Sequence, residues 1–237
     1  MASPKKIKAN VRCVNRHSDN VIEYFLRPEG RIPSFKPGQF LHLSIDPYDP
    51  SQSWPESRVF SIANSPGSDI IRIVISVKGK YTARMASELV EGSIVWLKFP
   101  YGSFTFESTG NHMVLIAGGT GISPYISFFE HCLAMKDSRA IALYYGVREE
   151  KLIIFESILK KCKEQMTLFN YTIFCEGVIH KLTHNIKVGI IDIAQILREN
   201  PNNSDFYLSG PPLMIEEFKQ RLLKNKIYPE RIFIDEW

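Results

Sequence analysis

The first half of the chain alternates apolar and polar residues over short stretches. A period of two is typical of β-strands, because successive side chains on a strand point to opposite faces. Turn residues such as Lys36-Pro37-Gly38 and Ser65-Pro66-Gly67 separate the stretches, and residues 82–90 have helical spacing instead. Six short strands and one helix predict a closed antiparallel β-barrel. The predicted strands are residues 7–16, 21–27, 39–45, 58–63, 70–77 and 94–99.

Beyond residue 110 the pattern changes to apolar runs that alternate with stretches of helical period. Such alternation predicts βαβ units and a Rossmann-like α/β domain built on a parallel five-stranded sheet. We therefore predict two domains, residues 1–108 and residues 109–237. The predicted strands are residues 113–117, 140–145, 168–175, 206–209 and 231–236, and the predicted helices are residues 124–136, 149–163, 191–198 and 212–225.

The turn after the first strand of the second domain contains three glycines in four positions, Gly118, Gly119 and Gly121, and Pro124 then opens a helix. Glycine lets backbone amides approach a phosphate closely, and a helix N-terminus favours its negative charge. If the strand order is 3-2-1-4-5, the turn containing Gly210 faces the same groove. A glycine-rich turn that serves packing alone is the alternative.

Charge is distributed unevenly along the 237 residues. The net charge is +4, and residues 1–110 contain 14 Lys and Arg against 10 Asp and Glu, while the remainder is balanced. The excess favours a bound anionic cofactor or an acidic protein partner, with an ordinary solvated surface as the alternative. No basic block indicates nucleic acid, and no apolar run has the length of a membrane span or signal peptide, so we predict a cytoplasmic protein.

The four cysteines, Cys13, Cys132, Cys162 and Cys175, are scattered, which predicts reduced and mostly buried thiols without an iron–sulfur or zinc site. His180 and His184 have helical ligand spacing, but glycines surround them and a third ligand is absent from the sequence nearby. We therefore predict no metal site.

Six ordered motifs along nearly the whole chain carry a family resemblance. Arg58-Val59-Phe60-Ser61 is similar to the Arg-x-Tyr/Phe-Ser flavin signature of the ferredoxin–NADP reductase-like superfamily. The other five resemble further motifs of that family: Pro37-Gly38-Gln39-Phe40, Gly92 with Pro100-Tyr101-Gly102-Ser103-Phe104, the turn from Ala117 to Pro124, Tyr145-Gly146-Val147-Arg148, and Ser209-Gly210-Pro211-Pro212-Leu213-Met214.

The resemblance implies a flavin site in the barrel, with FAD as the cofactor and FMN as the alternative. Arg58 would pair with the flavin pyrophosphate, Phe60 would pack on the isoalloxazine ring, and Ser61 would lie near flavin N5, where hydride arrives. The further implied flavin contacts are Ile62, Val77, Gly79, Tyr81 and Thr82.

The resemblance also implies an NADPH or NADH site in the second domain. Its pyrophosphate would lie against Gly119, Thr120 and Gly121, and Arg148 would meet the ribose or a 2′-phosphate, or else be a solvated charge. Gly210 and Pro211 belong to the facing turn.

Two features near the implied site of hydride transfer need separate mention. Ser209 stands where the family usually has Cys, which predicts altered nicotinamide positioning. The ending Asp235-Glu236-Trp237 resembles that of diflavin reductases, in which the acid assists hydride transfer and the Trp covers the flavin. A final core strand with a buried Trp is the alternative.

The function that the resemblance implies is an FAD-dependent oxidoreductase that takes hydride from NAD(P)H. The sequence has no cysteine cluster, haem domain or flavodoxin extension, so we predict a separate acceptor. An acidic ferredoxin or flavodoxin is the first candidate, because the flavin half is basic. The alternatives are a flavin or quinone reductase with a small acceptor, and an electron-transfer subunit that works only within a larger complex.

Overall fold

The computed structural model describes residues 3–107, 112–180 and 183–235. The strands are β1 Lys5–Ser18, β2 Val21–Pro28, β3 Phe40–Ser44, β4 Arg58–Ser61, β5 Ile71–Ser76, β6 Ile94–Tyr101, β7 Met113–Gly118, β8 Ile141–Val147, β9 Phe169–Cys175, β10 Ile186–Val188, β11 Asp205–Ser209 and β12 Ile232–Ile234. The helices are α1 Lys80–Glu88, α2 Ser123–Met135, α3 Glu156–Gln165, α4 Ile193–Glu199 and α5 Pro212–Lys224. None of these helices is long and apolar enough to cross a membrane.

The chain forms two compact units. One contains the residues up to Thr105 together with Ser123–Phe128, and the other contains the remainder. The short segment from α2 joins the first unit because the buried Ser127 hydroxyl donates to the Asn64 carbonyl at 2.7 Å. The domain boundary expected at residues 108 and 109 lies outside the described residues.

The first unit is built on an antiparallel six-stranded sheet with the order β4-β3-β6-β1-β2-β5. Its two outer strands meet where the Ala63 N–H donates to the Arg72 carbonyl at 2.8 Å, so the sheet curls into the barrel predicted from the alternating pattern. Alternate residues such as Leu41, Leu43 and Leu97 fill the interior, because every second side chain of each strand faces inward.

The second unit contains a parallel six-stranded sheet with the order β10-β9-β8-β7-β11-β12. From β9 to β12, five adjacent strands have the order 3-2-1-4-5, which is the condition under which the two glycine-bearing turns share one groove. The sixth strand, β10, was not predicted, since three residues with one buried side chain give too short a pattern to detect. It pairs in parallel with β9, from Ile186 opposite Ile173 to Val188 opposite Cys175.

Two predicted elements of the second unit have different bounds in the structure. In place of a helix over residues 149–163, a short 3₁₀ turn at Glu150–Leu152 precedes α3. The helical conformation is interrupted between them because Phe155 has a left-handed conformation with φ of +65°, which no right-handed α-helix accommodates. The last strand ends at Ile234 rather than at residue 236, so Asp235 follows it.

The four cysteines are free, and three of them are buried, as predicted for reduced thiols. Within the described ranges, no group of three or more His, Cys, Asp or Glu side chains is placed to hold a metal ion.

Candidate functional site

The flavin signature occupies β4, where the side chains alternate between the interior and the outer face of the barrel. Phe60 is 7% exposed and packs in the apolar core. Ser61 is on the opposite face and is only 4% exposed. Among residues 3–107, 112–180 and 183–235, Ser61 Oγ is the one buried side-chain nitrogen or oxygen without a hydrogen-bond partner. A buried unsatisfied hydroxyl is costly, so its presence indicates a partner that the protein atoms do not supply.

Arg58, at the start of the same strand, is exposed and held over an aromatic ring. Its guanidinium carbon lies 4.7 Å from the centroid of Tyr81. Its Nη2 donates to Glu56 Oε1 at 2.8 Å, and its Nη1 donates to the Ser57 carbonyl at 2.9 Å. The Glu56 contact was not predicted. Glu56 lies in a bend two residues before Arg58, and that short spacing was the available signal.

Tyr81 connects Arg58 to the first turn of α1. Its hydroxyl donates to the Leu43 carbonyl and accepts from the Ile45 N–H, both at 3.0 Å, and burial raises the pKa of this phenol above its usual value. These bonds fix the ring beneath the guanidinium, so Arg58 is placed beside a helix N-terminus.

The N-terminus of α1 is open to a ligand. Gly79 precedes the helix with an extended backbone, and a Cβ added there would meet nothing within 4 Å. Thr82 Oγ1 accepts from the N–H groups of Lys78 and Gly79 at 3.0 and 3.1 Å and so fixes the turn. A permanent cation and a helix N-terminus next to free space suit a phosphate group.

Ile62 and Val77 pack in or against the barrel core and donate backbone hydrogen bonds to neighbouring segments. Ile62 is fully buried and its N–H donates to the Gln39 carbonyl at 3.0 Å. Val77 is partly buried and packs against the barrel core, and its N–H donates to the Asn20 carbonyl at 2.8 Å. Their contacts with flavin stay predictions.

In the second unit, the glycine turn after β7 leads through a 3₁₀ turn, Gly119–Ile122, into α2. Gly119 has φ of +55°, and a Cβ added to it would meet nothing within 4 Å. Gly121 is closely packed, since an added Cβ would lie 2.7 Å from Gly210 Cα. Thr120, between them, is partly exposed. The turn therefore contains one glycine next to open space, Gly119, and one position, Gly121, that only glycine can occupy.

The facing turn after β11 lies directly against this one. A Cβ added to Gly118 would lie 2.7 Å from Pro211 Cδ and 2.8 Å from Met214 Sδ, and one added to Gly210 would lie 2.9 Å from the Gly118 nitrogen. Because β7 and β11 are neighbours in the sheet, both turns leave the same edge. This confirms the predicted juxtaposition of the two glycine-bearing turns.

Two predicted catalytic side chains contact each other. The Ser209 hydroxyl donates to Asp235 Oδ2 at 2.9 Å, and the two residues are 1% and 8% exposed. The Asp235 N–H also donates to the Leu208 carbonyl at 3.0 Å, which continues the β11–β12 pairing by one residue. Trp237, the third member expected here, lies outside the described residues.

Arg148 is exposed at the end of β8 and has no hydrogen-bond or ion-pair partner among the described residues. The two acidic residues that follow Arg148 pair with other side chains. Glu149 forms an ion pair with Lys151 at 2.8 Å, and Glu150 contacts His180 Nδ1 at 2.8 Å. Within the described part of the chain, Arg148 is therefore an unpaired cation at the carboxyl edge of the parallel sheet.

These features fit the two nucleotides that the sequence analysis predicted. The unsatisfied Ser61 hydroxyl and the space at Gly79 beside Arg58 suit a flavin nucleotide. The open turn at Gly119 and the free Arg148 suit a pyridine nucleotide.

Two family models match the chain. The model described as FAD-binding domain matches residues 5–131, which is more than half of the chain, and the model described as oxidoreductase NAD-binding domain matches residues 115–220.

Curated relatives align along most of this chain. The electron transfer component of 2-halobenzoate 1,2-dioxygenase from Burkholderia cepacia is 24% identical over 94% of this chain and 65% of that protein. The reductase component of propane 2-monooxygenase from Rhodococcus jostii is 28% identical over 98% of this chain and 63% of that protein. A flavohemoprotein of Candida norvegensis is 27% identical over 88% of this chain and 52% of that protein. The chain thus spans between about half and two thirds of the length of these relatives.

Solved structures share the fold. A cytochrome P450 reductase of Amycolatopsis superposes with a TM-score of 0.84 at 22% identity, covering 100% of this chain and 71% of that one. A ferredoxin NADP⁺ reductase of Neisseria gonorrhoeae, solved with bound FAD and NADP, gives a TM-score of 0.76 at 20% identity, covering 99% and 98%. The chain has the barrel and the parallel sheet, and its FAD-binding and oxidoreductase NAD-binding family matches come in the expected order. It therefore belongs to the ferredoxin–NADP reductase-like superfamily.

Proposed function

We propose that this chain is an FAD-dependent oxidoreductase that takes hydride from NADPH or NADH and passes electrons to a separate acceptor. The observation that carries the proposal is the buried, unpartnered Ser61 hydroxyl on the strand that also presents Arg58. FAD, when bound, supplies the chemistry of accepting hydride at N5 and releasing electrons singly or in pairs. The protein binds and orients the nucleotides and excludes water.

On the barrel, each residue has a separate task. Arg58 and the start of α1 bind the pyrophosphate, because a fixed guanidinium and a helix N-terminus both favour phosphate oxygens. Tyr81 holds the guanidinium in place. Ser61 offers a hydroxyl that can donate or accept at the N5 position. Phe60 and Ile62 are buried in the barrel core behind this face, and their contact with the ring, like that of Val77, is implied by the family resemblance.

On the parallel sheet, Gly119, Thr120 and Gly121 receive the pyrophosphate of NAD(P)H, with Gly210 and Pro211 forming the opposite wall. The buried Asp235 carboxylate would favour positive charge on a nicotinamide ring bound beside it. The Ser209 hydroxyl donates a hydrogen bond to Asp235 and so holds this carboxylate in one orientation. The family resemblance implies that Trp237 would cover the flavin until nicotinamide arrives.

For the acceptor we propose an acidic carrier protein, a ferredoxin or flavodoxin. Two of the relatives named above are the electron transfer component of a dioxygenase and the reductase component of a monooxygenase, which supports an acceptor on a separate polypeptide. The basic excess of residues 1–110 supports an acidic one.

The test uses purified protein reconstituted with FAD under anaerobic conditions. We expect a yellow protein whose flavin absorption bleaches on addition of NADPH or NADH and returns when an acceptor is added. Protein that binds no flavin would contradict the proposal. Bleaching followed by turnover with quinones alone would favour the small-acceptor alternative.

A further inference from the structure

The Ser61 hydroxyl is held through its own backbone. Its Oγ has no hydrogen-bond partner among the described residues, so no hydrogen bond within that part of the protein fixes its position. Strand β4 lies at the end of the sheet and pairs there with β3, where Ser61 is opposite Phe40. A group that takes part in catalysis has to be held within about 0.5 Å of its working position. The backbone that follows Ser61 must therefore be fixed by other residues.

Two side chains bind successive carbonyl groups just after Ser61. Arg72 Nε donates to the Ala63 carbonyl at 2.9 Å, and Arg72 Nη2 donates to the same oxygen. The Ser127 hydroxyl donates to the next carbonyl, that of Asn64, at 2.7 Å. Ala63 is fully buried and Asn64 is 6% exposed, so little water competes for these bonds. The backbone is thus bound at two consecutive residues.

Arg72 also holds residues 63 and 64 through its own backbone. Its carbonyl accepts from the Ala63 N–H at 2.8 Å, and its N–H donates to Asn64 Oδ1 at 2.7 Å. The Asn64 side chain donates in turn to the Ser65 carbonyl at 3.0 Å. Replacing the guanidinium would leave these backbone bonds in place and would release the Ala63 carbonyl.

A buried carboxylate orients the Arg72 guanidinium. Glu23 of β2 is 4% exposed, and its Oε1 lies 3.7 Å from Arg72 Nε. Asn15 Nδ2 donates to Glu23 Oε2 at 3.3 Å, and His17 Nε2 contacts the same oxygen at 3.2 Å. An ion pair removed from water adds little stability, because desolvation offsets the attraction, whereas the planar fork of Arg fixes direction. The pair therefore indicates that Arg72 provides orientation.

Ser127 reaches the segment from helix α2. A serine within a helix can donate to the carbonyl four residues earlier on its own helix. The fully buried Ser127 hydroxyl instead donates to a residue 63 positions away. Both residues belong to the first compact unit, and α2 follows directly on the turn Gly119–Ile122. The helix that follows the predicted pyrophosphate turn thus supplies the second donor.

We propose that Arg72 and Ser127 are positioning residues for Ser61. By binding two successive carbonyls they keep the chain after β4 in one conformation, and so keep the Ser61 hydroxyl where flavin N5 is expected. Asn64 is three residues from Ser61, about 10 Å of extended chain, so neither side chain is itself catalytic and both act through Ser61. The inference rests on the proposed function and adds the residues that orient one of its groups.

The test uses FAD-loaded Ser127→Ala and Arg72→Lys. Alanine suits a helix and removes only the donor, while lysine keeps a positive charge but lacks the planar fork. Ser204→Ala is the matched control, because Ser204 is also fully buried and its hydroxyl donates to the Pro201 carbonyl at 2.6 Å, in the second unit. Ser127→Ala decides the inference by itself if Arg72→Lys does not fold.

Stopped-flow absorbance under anaerobic conditions measures flavin reduction at saturating NADPH or NADH. We expect the limiting rate to fall about tenfold or more in Ser127→Ala and Arg72→Lys, because a misplacement of about 1 Å can cost about 100-fold in rate. The dissociation constants of FAD and coenzyme should stay within about twofold of the parent values, since Arg58 and the turn at Gly119 are unchanged. Reduction by dithionite, which needs no bound coenzyme, should also be unchanged.

The control separates positioning from stability. Ser127→Ala and Ser204→Ala each remove a buried hydrogen bond, so both should lower the melting temperature by about 2–6 °C. Only Ser127→Ala should slow the reduction of flavin by coenzyme.

The double variant Ser61→Ala with Ser127→Ala tests the route of the effect. If Ser127 acts through Ser61, its loss should slow the Ser61→Ala protein by no more than about twofold. Rate losses that multiply in the double variant would show that Ser127 acts independently of Ser61, and would overturn the inference.

Two other results would also overturn it: a parent-like limiting rate in Ser127→Ala, or an equal loss of rate in Ser204→Ala. If NAD(P)H fails to bleach the parent flavin, the proposed function itself is wrong, which is a distinct outcome.

Discussion

Ser61→Ala is expected to stabilise the protein without cofactor while slowing its reaction with cofactor. In the apoprotein the Ser61 hydroxyl is buried without a partner. An unsatisfied buried polar group costs about 1–3 kcal/mol, so its removal should raise the free energy of unfolding by about 1 kcal/mol after the small loss of packing. Most substitutions of a buried polar residue by Ala are expected to lower the free energy of unfolding instead.

Ser44→Ala provides the matched control. Ser44 is fully buried on the same outer face, one strand away, and its hydroxyl donates to the Asp46 carbonyl and accepts from the Asp46 N–H, both at 3.1 Å. Each such bond is worth about 0.5–1.5 kcal/mol, so this variant should lose about 1–2 kcal/mol.

The kinetic effect of Ser61→Ala should be opposite to its effect on stability. A hydrogen bond to a group that becomes charged is worth about 1.5–3 kcal/mol, which corresponds to a roughly 10- to 100-fold slower flavin reduction. FAD should stay bound, because Arg58 and α1 are unchanged. Urea unfolding of the apoprotein and anaerobic stopped-flow absorbance measure the two effects. If Ser61→Ala destabilises the apoprotein as Ser44→Ala does, the hydroxyl has a partner and the reasoning is refuted.

Five further variants, at four positions, test other parts of the protein. Gly121→Ala places a methyl group against the backbone of the facing turn. It should raise KM for NAD(P)H and cost about 1–3 kcal/mol of stability, and normal coenzyme binding would contradict the tight packing. Ser209→Ala removes the donor to Asp235 and should slow flavin reduction about tenfold. Ser209→Cys should restore part of that rate, and an unchanged rate in both would exclude a positioning role. Arg148→Ala should raise KM for NADPH about tenfold or more and leave NADH nearly unaffected, whereas equal changes would remove the 2′-phosphate contact. Burial, and then Lys98, lower the pKa of His42 below its ordinary value of 6.5. The folded state thus resists protonation, so the stability present above pH 6.5 is lost as the pH falls through the folded pKa. His42→Gln should flatten that decline in urea unfolding between about pH 7 and pH 5.

Regular alternation made most of the fold predictable. The barrel strands follow a period of two, and the second unit alternates apolar runs with helical stretches, so the fold class could be predicted. The strand order 3-2-1-4-5 was a condition that the structure then met. The errors occurred where the pattern was short or was overridden. Strand β10 has three residues, and the helix predicted from residue 149 is interrupted at Phe155, whose left-handed backbone depends on its packing environment rather than on propensity.

The residues of the candidate site could be predicted better than the hydrogen bonds between them. The family resemblance selected Arg58, Ser61, Ser209 and Asp235 from motifs. It did not indicate that Glu56 holds Arg58 or that Ser209 donates to Asp235. The Glu56–Arg58 pair is local, and its short spacing was an available signal. The Ser209–Asp235 pair instead depends on how β11 and β12 are paired, and a single sequence contains no direct record of that pairing.

By itself, the sequence determined the order of strands and helices, the glycine turns and the residues available for nucleotide binding, because these depend on local spacing and backbone freedom. The tertiary structure alone decided that Ser61 is buried without a partner among the described residues, that Arg72 donates to the Ala63 carbonyl and that Ser127 donates to the Asn64 carbonyl. All three depend on how segments distant in sequence pair and pack. A shift of one residue in the register of a strand moves every side chain of that strand to the other face.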